Sequence, residues 1–166
     1  IDFEIPEEDR ILLDSVDRMM AREFPPEAYQ KAEQAHETPW HLLPKMGELG
    51  LLALVVPEEY GGLGKDWRSV ALVNEQIARH AGIASTLYGT TVGFGAMSLL
   101  PYGTEAQKGD ILPRLMEGRA RFALALTEST AGSDAAAITT RARLTASGDW
   151  RIDGRKVWIS NADAAD

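Results

Sequence analysis

A change of hydrophobic period near residue 120 constrains this chain more than any other feature. Before it, apolar residues recur three and four positions apart, the spacing that lays one stripe along an α-helix. After it, short alternating segments are separated by Gly148-Asp149 and Asp153-Gly154, the pattern of strands joined by tight turns. A helical period cannot sit as a strand, because side chains alternate between the two faces of a sheet. The expected fold is therefore α+β. An all-α helical amino-terminal domain over residues 1–119 is followed by the start of an antiparallel β-domain, incomplete at residues 120–166.

In the first part, Leu12, Val16, Met19 and Met20 form a stripe that opens after Pro6 and ends at Phe24-Pro25-Pro26, where proline forbids the preceding helical turn. A polar helix over about Glu27 to His36 follows. Thr38-Pro39 signals a helix presenting Leu42, Leu43, Met46 and Leu49, with Pro44 in its first turn or kinking it. Gly50 suits the left-handed position past its end, and Leu51 to Val56 reads as a short buried run. Pro57 to Gly64 is a turn-rich loop, and Asp66 caps a helix striped by Val70, Val73 and Ile77. The segment from about Ser85 to Leu100 is almost uncharged, as expected of a helix in a core or against a ligand. Its Gly89, Gly93 and Gly95 suit close approach of a backbone or a ligand, tight helix packing being the plainer use. Thr104-x-x-Gln107 is a capping box, and Pro113 is expected to open a further short helix.

In the second part, Arg121 to Leu126 is a strand candidate and Thr127 to Asp134 a loop. Thr139 to Ala146 and Trp150 to Asp153 read as strands joined through Ser147-Gly148-Asp149. A hairpin at Asp153-Gly154 would lead into a strand over Lys156 to Ser160. Strict alternation there would put Lys156, Trp158 and Ser160 on one face.

Charge and composition exclude several functions. Seventeen basic residues against 25 acidic ones leave a net charge of −8, which argues against nucleic acid or an anionic membrane as partner. The absence of cysteine removes disulfides and thiolate metal sites and fits a reducing compartment. No unbroken apolar run approaches the ~18 residues of a membrane span. Three histidines are too few and too scattered for a metal site. Gly61 to Asp66 lacks the spacing and hydroxyl of a phosphate loop. The abrupt start at Ile1 and stop at Asp166 read as those of a fragment.

Two segments carry candidate chemistry. Leu124 to Asp134 leads into a loop dense in hydroxyls, Thr127-Glu128-Ser129-Thr130-Ala131-Gly132-Ser133, which can aim several donors at an electron-rich edge or a phosphate. The same residues would also make an ordinary capped turn. Trp158-Ile159-Ser160-Asn161 sets a large aromatic near a hydroxyl, suited to stacking on a planar ring or to packing in a core.

Together these segments resemble the acyl-CoA dehydrogenase family. Thr127-Glu128-x-x-Ala131-Gly132-Ser133-Asp134 is similar to its flavin loop, and Gly154-Arg155-Lys156-Val157-Trp158-Ile159-Ser160-Asn161 to the strand that follows. Leu49-Gly50-Leu51, Pro57-Glu58-Glu59-Tyr60-Gly61-Gly62, Asn74-Glu75-Gln76-Ile77-Ala78 and Gly103-Thr104-Glu105-Ala106-Gln107-Lys108 agree in order and spacing. The resemblance implies FAD, bound by Leu124, Leu126, Thr127, Gly132, Ser133, Trp158, Ile159 and Ser160. Ser133 would also face the acyl-CoA, while Glu128 and Asp134 would hold the loop.

It further implies oxidation of an acyl-CoA to a trans-2-enoyl-CoA, an electron-transfer flavoprotein as acceptor, and a homo-oligomer (dimer or tetramer). The location would be cytoplasmic, or the mitochondrial matrix in a eukaryote. Acyl-CoA oxidases and flavin monooxygenases share these motifs, and a non-catalytic assembly domain is a further alternative. Ser129 stands where the family usually has proline, and Ser160 where threonine is commoner. No residue is assigned as the catalytic base, which the resemblance places in a carboxy-terminal domain beyond Asp166; the chain alone is expected to be inactive.

Overall fold

The computed structural model describes residues 4–166, which form two compact units, one ending at Phe122 and counting Asp166 with it, the other spanning Ala123–Ala165. The first is helical. Helices α1 (Glu7–Glu23), α2 (Pro26–Ala35), α3 (Leu42–Glu48) and α4 (Trp67–His80) precede a long run made of α5 (Gly82–Gly89), a π-helical stretch (Thr90–Ala96) and α6 (Met97–Tyr102). Helix α7 (Glu105–Met116) completes it.

The core of this unit is the set of apolar stripes the sequence announces. Val16, Met19 and Met20 of α1 meet Val70, Val73 and Ile77 of α4, and Leu42, Leu43 and Met46 of α3 close the cluster with Leu51, Leu52 and Leu54. From the uncharged run come Ala84, Leu87, Tyr88, Val92 and Ala96, all buried. Tyr88 is fully enclosed, and its hydroxyl donates to the Leu51 carbonyl at 3.3 Å, so the phenol is satisfied without water. Burial drives its titration far upward, so it is a neutral structural group.

Local signals set the element ends. The Asp66 carboxylate accepts from the Ser69 N–H at 3.1 Å at the start of α4. Both bonds of the Thr104–Gln107 capping box form at the start of α7. Pro44 lies in the first turn of α3, and Gly50 follows that helix at φ +72°. Pro113, expected to open a new helix, instead lies inside α7; the preceding cap nucleates the helix, and buried Leu112 and Leu115 hold it across the missing N–H. The uncharged run is helical as expected, but over Thr90–Ala96 it widens to π geometry. Gly95 lies at its closest approach, where an added Cβ would stand 3.0 Å from both Leu115 and Phe122.

As one helical run, Gly82–Tyr102 is 21 residues, long and apolar enough by length and composition to cross a membrane. The sequence hides this because Gly, Ser, Thr and Tyr interrupt its apolar residues.

The second unit is built differently. Strands β1 (Arg141–Leu144) and β2 (Trp150–Asp153) pair antiparallel, Arg141 opposite Asp153 and Leu144 opposite Trp150. Gly148, at φ +87°, turns the chain between them. Two expected strands do not form. Arg121 to Leu126 runs without a ladder partner, and Lys156 to Ser160 is irregular, with Trp158 at φ +60° and Asn161 at φ +64°. A strand exists only through its neighbour, and these segments share too few bonds to make one. The left-handed turn at Trp158 also breaks the expected alternation: Lys156 points inward and Trp158 does not.

Candidate functional site

The site predicted from sequence lies entirely in the second unit, and a single carboxylate organises it. Glu128 is buried, its side chain 3% exposed. Its Oε2 accepts from the Thr139 N–H at 2.8 Å and the Thr139 hydroxyl at 2.6 Å. Its Oε1 accepts from the Thr140 N–H at 2.8 Å, from the Thr140 hydroxyl, and from the Lys156 ammonium at 3.0 Å. Donation by the two hydroxyls first, then by the amides, holds this carboxyl far below the usual carboxylate range. A group so strongly held as the anion cannot shuttle protons near neutral pH. Glu128 holds the loop, as the resemblance implied.

From that centre two segments are tied together. The Lys156 Nζ also donates to the Leu126 carbonyl at 2.8 Å, and the Val157 N–H donates to the Thr127 carbonyl at 2.9 Å. The loop closes on itself through the Glu128 N–H to the Ala131 carbonyl at 2.9 Å and a reciprocal bond at 3.3 Å. Gly154 packs so tightly on Thr140 that an added Cβ would overlap its side chain.

These bonds place Leu126 and Thr127 beside the segment that carries Trp158, Ile159 and Ser160. The indole of Trp158 is 90% exposed, and Leu124 and Leu126 are 40% and 44% exposed. Gly132 and Ser133 lie on the exposed part of the loop, and a Cβ at Gly132 would meet open space. Among the described residues, the hydroxyls of Thr127, Ser133 and Ser160 engage no protein partner. The result is a set of apolar groups with free hydroxyl donors near them, held by a polar network centred on buried Glu128.

Sequence reasoning did not find Thr139, Thr140 and Lys156 as partners of Glu128. They lie 11, 12 and 28 positions away, and the available signal was indirect: a buried carboxylate must find donors, and Thr139-Thr140 supplies four. The helical unit has a groove of its own, about 720 Å³, lined by Pro44, Ala53, Pro113 and Met116 among others, with the ion pair of Glu117 and Arg119 beside it. No group of three or more His, Asp or Glu among the described residues is arranged to hold a metal ion.

Known proteins resemble this chain in sequence and fold. The family model "Acyl-CoA dehydrogenase, N-terminal domain" matches residues 6–119, and "Acyl-CoA dehydrogenase, middle domain" matches residues 123–166. A probable acyl-CoA dehydrogenase of Bacillus subtilis, YngJ, is 38% identical over 99% of this chain and 43% of its own length. A glutaryl-CoA dehydrogenase solved with glutaryl-CoA superposes with a TM-score of 0.91 at 34% identity, over 100% of this chain and 42% of that one. An acyl-CoA dehydrogenase of Bacillus anthracis complexed with FAD gives 0.86 at 39% identity, over 98% of this chain and 28% of that one. The chain thus spans less than half the length of these relatives. With both of its units matched in order, the chain belongs to the acyl-CoA dehydrogenase family.

Proposed function

We propose that this chain supplies part of the flavin site of an FAD-dependent acyl-CoA dehydrogenase, which oxidises an acyl-CoA thioester to a trans-2-enoyl-CoA. Residues 1–119 are its helical amino-terminal domain and 120–166 the beginning of its β-domain. The observation that carries this reading is the 2.9 Å bond from the Val157 N–H to the Thr127 carbonyl, which sets the hydroxyl loop beside the Trp158 segment.

The residues present fit an isoalloxazine ring. Such a ring needs apolar cover for its faces and donors for its electron-rich edge, and exposed Trp158, Leu124 and Leu126 stand with free hydroxyls on Thr127 and Ser160. The open space at Gly132 admits a ligand close to the backbone. When bound, FAD supplies the acceptor for the hydride that leaves the β-carbon of the acyl group. Thr127 and the loop N–H groups donate toward the edge where negative charge gathers. Trp158 and Ile159 exclude water from one side, Ser160 donates near the reacting edge, and Ser133 orients the acyl-CoA. The proton alpha to the thioester is taken by a carboxylate outside residues 1–166, and the chain alone does not turn over. Electrons pass on to an electron-transfer flavoprotein, and the complete protein is a homo-oligomer.

Titration of the chain with FAD, followed by the visible absorption band and flavin fluorescence, tests the reading. Bound flavin should shift the band and lose fluorescence, and Trp158→Ala should weaken binding by about tenfold. Binding that survives both Trp158→Ala and Thr127→Ala unchanged would place the flavin elsewhere.

A further inference from the structure

Buried Glu128 and partly buried Lys156 form a pair whose geometry does more than satisfy charge. The Lys156 ammonium bridges two acceptors from one chain segment, the Leu126 carbonyl at 2.8 Å and the Glu128 carboxylate at 3.0 Å. Lys156 itself stands two residues before Trp158. The amide that joins the two segments, Val157 N–H to the Thr127 carbonyl, is flanked by this bridge. On the far side, Glu128 fixes Thr139 and Thr140 at the entry to β1. Three separate stretches of chain therefore meet at one carboxylate, in a unit whose buried residues are Glu128 and Ala131. With so little apolar area available, hydrogen bonds must set the position of each stretch.

We propose that Glu128 and Lys156 are positioning residues for the flavin: they act through Thr127 and Trp158, setting the distance and angle between the edge donors and the aromatic cover. This rests on the flavin reading above and adds to it a pair that the reading leaves structural. The chemistry of the acceptor explains why a carboxylate is required. An amide at position 128 has one oxygen, so its NH₂ must face either the Thr139 amide or the Thr140 amide and ammonium, donor against donor. Lys156→Met is milder, since it leaves four of the five bonds on Glu128 and removes only the two that the ammonium makes, to Glu128 and to the Leu126 carbonyl.

The experiment uses the chain without and with FAD, in the wild type, Glu128→Gln, Lys156→Met and Lys156→Arg. Without FAD, amide hydrogen exchange at Val157 should quicken by about tenfold in Glu128→Gln and Lys156→Met and return toward the wild type in Lys156→Arg. With FAD, the first two variants should bind about tenfold more weakly, and the flavin they bind should show a displaced absorption maximum. Unchanged exchange at Val157 overturns the claim that the Glu128–Lys156 bridge holds the Val157–Thr127 junction. Quickened exchange with unchanged FAD affinity and spectrum overturns the positioning role while leaving the flavin reading intact. A wild type that takes up no FAD overturns the flavin reading itself, and the positioning role with it. Should Glu128→Gln unfold the unit, the Lys156→Met and Lys156→Arg pair carries the same test.

Discussion

The two units are held together by different physics. In the helical unit, side chains from α1, α3, α4, α5 and α7, the π-helical stretch and the Leu51–Leu54 segment bury one apolar cluster, and polar groups inside it, such as the Tyr88 hydroxyl, are incidental and satisfied. In the second unit there is no comparable core. Leu144, Trp150 and Ile152 are 62%, 67% and 71% exposed on one face of the β1–β2 pair, while Arg141, Arg143 and Arg151 occupy the other. What is buried there is a carboxylate, Glu128, with Ala131 beside it, and its donors reach it from partly buried and exposed positions. Apolar burial scales with area and tolerates small shifts of position, whereas a hydrogen-bond network fixes distances and fails when one member is wrong. The difference teaches where each kind of substitution should hurt.

The largest expected contrast comes from truncating one aliphatic side chain in each unit. Leu87 is enclosed in the core, so Leu87→Ala should cost about 2–5 kcal/mol by lost transfer energy and a residual cavity. Ile152→Ala, on the exposed face, should stay within about 0.5 kcal/mol. Urea unfolding of both variants checks this, and equal losses would abolish the distinction between the units.

A backbone test follows, with a smaller effect. Gly118 sits at φ +69° just past α7, and an added Cβ would overlap the backbone of Leu43 and Pro44. Gly118→Ala combines a left-handed conformation with a clash that only movement of α3 relieves, a cost of about 1–3 kcal/mol. Gly132 offers the comparison in the second unit: nothing stands near an added Cβ there, so Gly132→Ala should leave thermal stability unchanged. Melting curves of the two variants read the difference directly.

Legibility from sequence divides along the same line. Where structure follows from local period and caps, as in α1, α4 and the Thr104–Gln107 box, residue types alone suffice. The Thr90–Ala96 π-turn was not legible, because an uncharged apolar run marks a buried helix without marking where its turns widen. The strands expected over Arg121 to Leu126 and Lys156 to Ser160 failed for a related reason: alternation marks a segment as able to pair but does not supply its partner. In the candidate site, the loop and the tryptophan segment were both identified, and the structure adjoins them. The direction of the Trp158 ring was not legible, since no sequence rule predicts a positive φ at a bulky residue. Nor was the set of donors around Glu128, gathered from as far as Lys156.

The smallest effect, and the sharpest test of the comparison, is the order in which two carboxylates take up protons. In the helical unit Asp17 lies at the α1–α4 contact, accepting from His80 at 2.7 Å and from Gln76 at 2.6 Å, with its side chain 46% exposed. The His80 hydrogen bond first, then that of Gln76, lowers its titration from the ordinary value. In Glu128 the lowering is far larger, because two hydroxyls and two amides converge on a buried group. Both are depressed carboxyls, so each stabilises its unit fully above its unfolded pKa and loses that contribution as pH falls through the folded one. Carboxyl-carbon NMR on acidification should therefore show Asp17 protonating first and Glu128 last. The loss at Asp17 should be under about 1 kcal/mol, since water screens a half-exposed pair. At Glu128 the same descent should leave the Val157–Thr127 junction intact until far lower pH. Were Glu128 to titrate in the ordinary carboxylate range, its network would be looser than its distances state, and the contrast drawn between the two units would fail.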